Sequence, residues 1–132
     1  TLGTRDSRQI VGRYNLTGHD VRHEARFEDS IGIFPEFLDA YGLLILPTTG
    51  RYFQVPFGIT VPQGVQNLLV AGRCVAGDQM SHAATRNMMC CTVTGQAAGV
   101  ASAVSIKEGM NSGAVDVERV QRALQKQGVR IW

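Results

Sequence analysis

Two clusters of residues in the second half of the chain have the types and spacing to do chemistry. The first is His82 and Arg86, four positions apart. A guanidinium is planar and holds a carboxylate through paired N–H donors. An imidazole titrates near neutrality and can relay a proton. The plainer reading of an isolated histidine is a hydrogen-bonded structural residue. The second cluster, Asn87, Met88 and Met89, opens a run of small and apolar residues that extends to Val104. If that run is a helix, its first N–H groups are free and carry partial positive charge, which suits an anionic or electron-rich group. Upstream, Gly72 permits close approach of a backbone to a ligand, and Arg73 matches phosphate geometry or makes a surface ion pair.

Other chemistries find little support. Cys74, Cys90 and Cys91 do not make a disulfide framework, and no CxxC or Cys/His metal spacing is present. Adjacent Cys90 and Cys91 read as small buried hydrophobes on different helix faces, with a vicinal redox pair as the alternative. Unpaired cysteines favour a reducing compartment. His19 and His23 sit in polar segments and read as surface residues. There is no Gly-x-Ser-x-Gly elbow or Ser-His-Asp order for a hydrolase. A net charge of +2, with basic and acidic residues interleaved, gives no argument for nucleic acid.

These groups need elements to position them. At 132 residues and 44% apolar, the chain has the size and composition of one cored domain. Asn67-Leu68-Leu69-Val70-Ala71-Gly72 reads as a central strand buried on both faces. A polar loop from Arg73 through Gly77, Asp78 and His82 to Arg86 leads into the long small-residue helix. A strand end feeding a helix start is where open α/β sheets bind ligands. The apolar run from Met88 to Ile106 approaches the length of a membrane span, but Thr92, Thr94, Gln96, Ser102 and Ser105 interrupt it. The Gly95 to Gly99 spacing lets this helix approach a sheet or cofactor closely, so a membrane is not expected.

Elsewhere, Ile10 to Leu16 reads as a half-buried strand with a bend at Gly12, followed by a turn at Thr17-Gly18-His19-Asp20, with Asp20 as a possible N-cap. Arg22 to Asp29 is an exposed helix or loop. Residues 31–46 are apolar but broken by Gly32, Pro35 and Gly42. Pro47-Thr48-Thr49-Gly50 is a turn. Two prolines confine Tyr52 to Pro62 to an edge strand or an extended segment. Asp116 caps a last helix through Gln127, with Val117, Val120 and Leu124 on one stripe and Gly128 as its stop.

Asn67 to Arg73, then Cys74, His82-x-x-x-Arg86 and Gly95-Gln96-Ala97-Ala98-Gly99-Val100-Ala101-Ser102 resemble the C-terminal portion of the FAD-dependent oxidoreductase family, itself distantly related to the succinate dehydrogenase and fumarate reductase flavoproteins. Arg5-Asp6-Ser7-Arg8-Gln9-Ile10-Val11-Gly12-Arg13-Tyr14-Asn15-Leu16-Thr17 resembles a second segment of that family. Tyr52 to Pro62 resembles a third, with Phe57 where a second tyrosine is usual. The resemblance implies an α/β, two-domain, Rossmann-like FAD-binding fold. Residues 1–30 would be a return segment from the substrate-covering domain, 31–66 an extended or irregular connection, and 67–132 the C-terminal part of the FAD-binding domain, ending in a short strand at Val129 to Trp132.

The resemblance further implies a parent enzyme that moves a hydride between a small organic substrate and FAD. His82 and Arg86 would be catalytic. Gly72 and Arg73 would lie at the ribityl and phosphate portion of the cofactor, and the N–H groups of Asn87, Met88 and Met89 at the flavin ring. Family members commonly carry an aspartate and a histidine near the substrate; here the stretch is Asp39-Ala40-Tyr41-Gly42, with no histidine in register. The Gly-x-Gly-x-x-Gly turn that grips the FAD pyrophosphate is missing from the sequence. The chain is thus expected to work as a C-terminal fragment, inactive alone, that pairs with the remainder of the parent flavoprotein or self-associates. The alternative is a non-catalytic interaction module that has lost FAD.

Overall fold

In the computed structural model, residues 5–6, 8–40, 42–47 and 50–132 are described. Residues 1–4 of the expected return segment, Ser7 of the second resembling segment, Tyr41 and Thr48-Thr49 fall outside them.

The apolar stretch broken by glycine and proline forms two antiparallel pairs. β1 (Ser30–Pro35) pairs with β4 (Tyr52–Pro56), with a register shift between Ser30 and Gly32. β2 (Leu38–Ala40) and β3 (Leu43–Ile45) make a short hairpin around Gly42, whose φ of 74° is the left-handed value a tight turn demands. Residues 31–66 are therefore more regular than expected. Pro35 and Pro56 sit at strand ends, where a missing N–H costs no ladder bond. Phe34 faces Phe53 across the β1–β4 pair, edge to face at 6.1 Å between centroids.

Among the described residues, four α-helices pack against these strands. α1 (Gly18–Arg22) begins with a capping box, in which Thr17 is the N-cap and Asp20 the residue reaching back. The expected cap at Asp20 thus moves to Thr17. α2 (Gln79–Thr85) and α3 (Met88–Glu108) follow one another with a sharp break at Arg86-Asn87. α3 stops at Gly109, in the left-handed conformation (φ 64°). α4 (Val117–Lys126) has Asp116 accepting the Glu118 N–H at 3.0 Å, and Val120 and Leu124 buried.

α3 buries Cys90, Thr94, Ala97, Ala101 and Ser105, one stripe at helical spacing. It packs on β1 so closely that a Cβ at Gly32 would lie 2.5 Å from Val93 Cγ1. By length and apolar composition α3 is also capable of crossing a membrane. The core joins Leu16, Val21, Ile31, Phe53, Ile59, Val75 and Leu124, residues drawn from all three expected segments. The result is a mixed α/β arrangement.

Four further sequence expectations are corrected. Asn67 to Gly72 is not a buried central strand: Asn67 and Gly72 at its ends have φ of 54° and 73°, Leu68 is 46% exposed, and only the Val70 N–H, donated to the Thr60 carbonyl at 2.8 Å, ties its middle down. Composition alone does not make a strand when no neighbour, among the described residues, offers a ladder on either edge. Ile10 to Leu16 likewise forms isolated bridges, Gly12 to Pro62 and Leu16 to Gly77, instead of a strand. The loop from Arg73 to Arg86 contains α2. Val129 to Trp132 is not a strand; Ile131 is buried there, and its carbonyl accepts from Ser30 Oγ at 2.7 Å.

Candidate functional site

α2 exists because Asp78 caps it. The Asp78 carboxylate accepts the Ser81 N–H at 2.7 Å and reaches across to the Gly18 N–H at 2.9 Å, so one side chain fixes both α2 and the start of α1. Ser81 Oγ donates to the Leu16 carbonyl at 2.7 Å and turns the next residues of the helix inward. His82 is 1% exposed. The Gln9 amide donates to its Nδ1 at 2.7 Å, so Nδ1 is the bare nitrogen. Nε2 then carries the proton and donates to the Arg5 carbonyl at 3.2 Å. Asp6 Oδ1 lies 3.7 Å from Nε2. His82 is thus a buried ring with both nitrogens engaged.

Arg86 ends α2 and donates through Nη2 to the Asp39 carbonyl of β2. Asp39 is in turn 3.7 Å from the Arg5 guanidinium. A cavity of about 160 Å³ separates these groups, walled by Asp6, Ala40, Gln79, His82, Ala83 and Arg86. The structure therefore brings His82 and Arg86 to one cavity, with each already holding a protein partner.

At the start of α3 the N-cap residue does not cap. The Asn87 side chain turns back and donates to the Ala83 and Ala84 carbonyls at 3.0 and 2.9 Å, closing α2 instead of opening α3. Its own N–H donates to the Ala84 carbonyl at 3.2 Å. The first bond of α3 runs from the Cys91 N–H to the Asn87 carbonyl at 2.9 Å. Among the described residues, the N–H groups of Met88, Met89 and Cys90 find no acceptor. Of the expected Asn87, Met88 and Met89, the Asn87 N–H is therefore taken and those of Met88 and Met89 stay open, while Cys90 is fully buried. The Met88 and Met89 side chains are 79% and 75% exposed. They edge an apolar groove of about 470 Å³ whose other wall is Ile33, Phe34, Phe37 and Pro47.

Gly72 and Arg73 stand apart from this groove, in a single 3-10 turn against the middle of α3. Gly72 has φ 73°, and its N–H donates to Thr94 Oγ1 at 2.9 Å. Arg73 is exposed, with no carboxylate partner among the described residues. Its charge acts on the Cys91 thiol, but burial prevails and pushes that thiol up. Burial pushes Cys90 up further. Neither thiol is poised as a thiolate, which argues against the vicinal redox pair.

Gln9, Asp39 and Thr94 join the site without having been expected in these contacts. Gln9 and Asp39 lie 73 and 47 positions from their partners, so no local pattern announces them. Thr94 was legible only as a polar interruption of the helix.

The family model described as FAD dependent oxidoreductase matches residues 1–124. No curated protein and no solved structure matches the chain. With a match over nearly its whole length, the chain belongs to the FAD dependent oxidoreductase family.

Proposed function

We propose that this chain forms one wall of the flavin site in an FAD-dependent oxidoreductase, whose dinucleotide-binding part lies in other residues of the parent protein. The single observation that carries this reading is the start of α3, where the unaccepted N–H groups of Met88 and Met89 open beside an apolar groove. That combination fits a flat ring system with an electron-rich edge. Bound FAD would supply the hydride-accepting centre, with negative charge gathering on the N1–C2=O edge of the reduced ring. The chain's own task is to hold donors at that edge and keep water off the ring. Met88 and Met89 lend flexible, polarisable surface to the groove.

Arg86 lines its cavity, and a guanidinium with donors beyond the one given to Asp39 is a suitable grip for a substrate carboxylate. His82 takes a proton-relay role only when Gln9 and the Arg5 carbonyl release its nitrogens. Gly72 and Arg73 suit the ribityl and phosphate portion. The two-domain, Rossmann-like arrangement and the three-segment division belong to this same reading. An absorbance scan for flavin on the native polypeptide, with its intact mass, tests it. A larger, yellow species supports the proposal, and a flavin-free species overturns it.

A second reading has its own observation. Gly95 and Gly99 point into open space on α3, and Leu68 to Ala71 has no ladder partner among the described residues. Such surfaces pack on something, either the rest of the parent or a second copy. A non-catalytic self-associating module would show a dimer by light scattering with no flavin. No nucleic-acid or membrane role is proposed.

A further inference from the structure

We propose that Arg13 and Asn111 form the head of a binding site for a small organic carboxylate with an apolar body, in a cavity that shares no residue with the His82 cavity or the Met88 groove. The cavity holds about 660 Å³ and lies between residues 61–66 and the 3-10 turn Ser112–Ala114. Small-molecule sites span about 300–1,000 Å³. Its frame is tied down on both sides. The Arg13 N–H donates to the Val61 carbonyl at 2.8 Å, the Gln63 N–H to the Val11 carbonyl at 2.9 Å, and Gln63 Nε2 to the Gly12 carbonyl at 2.8 Å. Opposite, two asparagines clasp each other's turns. Asn111 Oδ1 accepts the Asn67 N–H at 2.9 Å, and Asn67 Oδ1 accepts the Ser112 N–H at 3.3 Å.

This frame leaves donors unspent at the cavity. Asn111 Oδ1 accepts the Gly113 N–H as well, at 3.1 Å. With the oxygen so occupied, the free end of the Asn111 amide is Nδ2, whose hydrogens meet no acceptor among the described residues. The buried Ser112 hydroxyl beside it is also without a partner. Arg13 Nη2 donates to the Gly113 carbonyl, which fixes the guanidinium at the cavity and leaves its other donors. Among the described residues Arg13 enters no ion pair, and no Asp or Glu lines the cavity. One cation without a counter-charge, next to an amide NH2, selects a singly charged oxyanion, and the planar guanidinium matches a carboxylate. Val61, Pro62, Val65 and Ala114 supply an apolar wall beside that head. Val65 is 52% exposed, so an apolar body laid on it gains by burial.

The test is an amide NMR titration of the full chain with phenylacetate, using phenylacetamide as the neutral counterpart and inorganic phosphate as an anion without an apolar body. Saturable shifts are expected at the Gly64, Val65, Asn111 and Gly113 amides, with phenylacetamide and phosphate each weaker by about tenfold or more. Arg13→Gln should weaken phenylacetate by about the same factor. Asn111→Asp keeps the oxygen that accepts two N–H groups and puts a negative charge where the Nδ2 donors were, so it should abolish binding. The spectra themselves verify that the variants stay folded; Arg13 is exposed, and Arg13→Gln decides alone if Asn111→Asp unfolds. The proposal is overturned if these amides show no saturable shift, if the shifts gather at the Arg86 cavity or the Met88 groove, if phenylacetamide or phosphate binds as tightly as phenylacetate, or if Arg13→Gln leaves binding unchanged.

Discussion

Gln9 donates to His82 Nδ1 at 2.7 Å and so fastens the entering segment of the chain to α2, 73 positions away. The bond makes His82 a tie before it makes it an acid or base. His82→Ala removes a buried ring and orphans the Gln9 amide. We expect a loss of about 2–3 kcal/mol in denaturant unfolding, with faster proteolysis near Gln9. An unchanged midpoint would contradict the structural role and leave proton relay as the reason for the residue.

Asp78 holds two N–H groups from two helices. Asp78→Ala leaves the Ser81 and Gly18 donors without their acceptor and is expected to cost about 2 kcal/mol. Asp78→Asn keeps one acceptor oxygen and should recover part of that loss. Equal midpoints for the two variants would show that the cap contributes little.

The parts of this fold that were legible share a cause: their signals are local. Asp116 and Gly128 mark the ends of α4 because caps and left-handed stops depend on neighbours in sequence. α2 escaped notice because Gln79 to Thr85 is short, with no apolar stripe; its signal was the Asp78 cap alone. The segment from Leu68 to Ala71 misled because its composition suits a strand, whereas pairing is a property of partners. The site follows the same division. Arg86 and the α3 start were legible from their motif, while Asp39 and Gln9 arrive through the fold.

Gly95 and Gly99 lie inside α3 with open space where a Cβ would go. In the isolated chain, Gly95→Ala and Gly99→Ala should each stabilise by about 1 kcal/mol, the helix-propensity difference. Gly12→Ala offers the contrast: its Cβ would come within 2.6 Å of both the Tyr14 carbonyl and Ala76 Cβ, and a loss of about 1–3 kcal/mol is expected. The same α3 substitutions made in the parent protein, or in a self-associated form, should weaken whatever packs on that face. Stabilisation in both settings would mean that nothing docks there.

Tyr14 donates its hydroxyl to Asp20 Oδ2 at 2.9 Å. Burial first, then this hydrogen bond, then the charges of Asp20 and Asp29 push its phenol from 10.0 to about 12. The fold thus prefers the neutral phenol. Its contribution is complete below pH 10.0 and is lost as pH rises from there through about 12. Tyr14→Phe cannot ionise; it should lose about 1 kcal/mol at neutral pH with the hydrogen bond, then show a shallower fall in stability across that alkaline window. Unfolding midpoints of both proteins measured through the window decide the matter. Parallel curves would mean that Asp20 holds Tyr14 no more tightly than water does, and that Thr17 alone keeps the capping carboxylate in place.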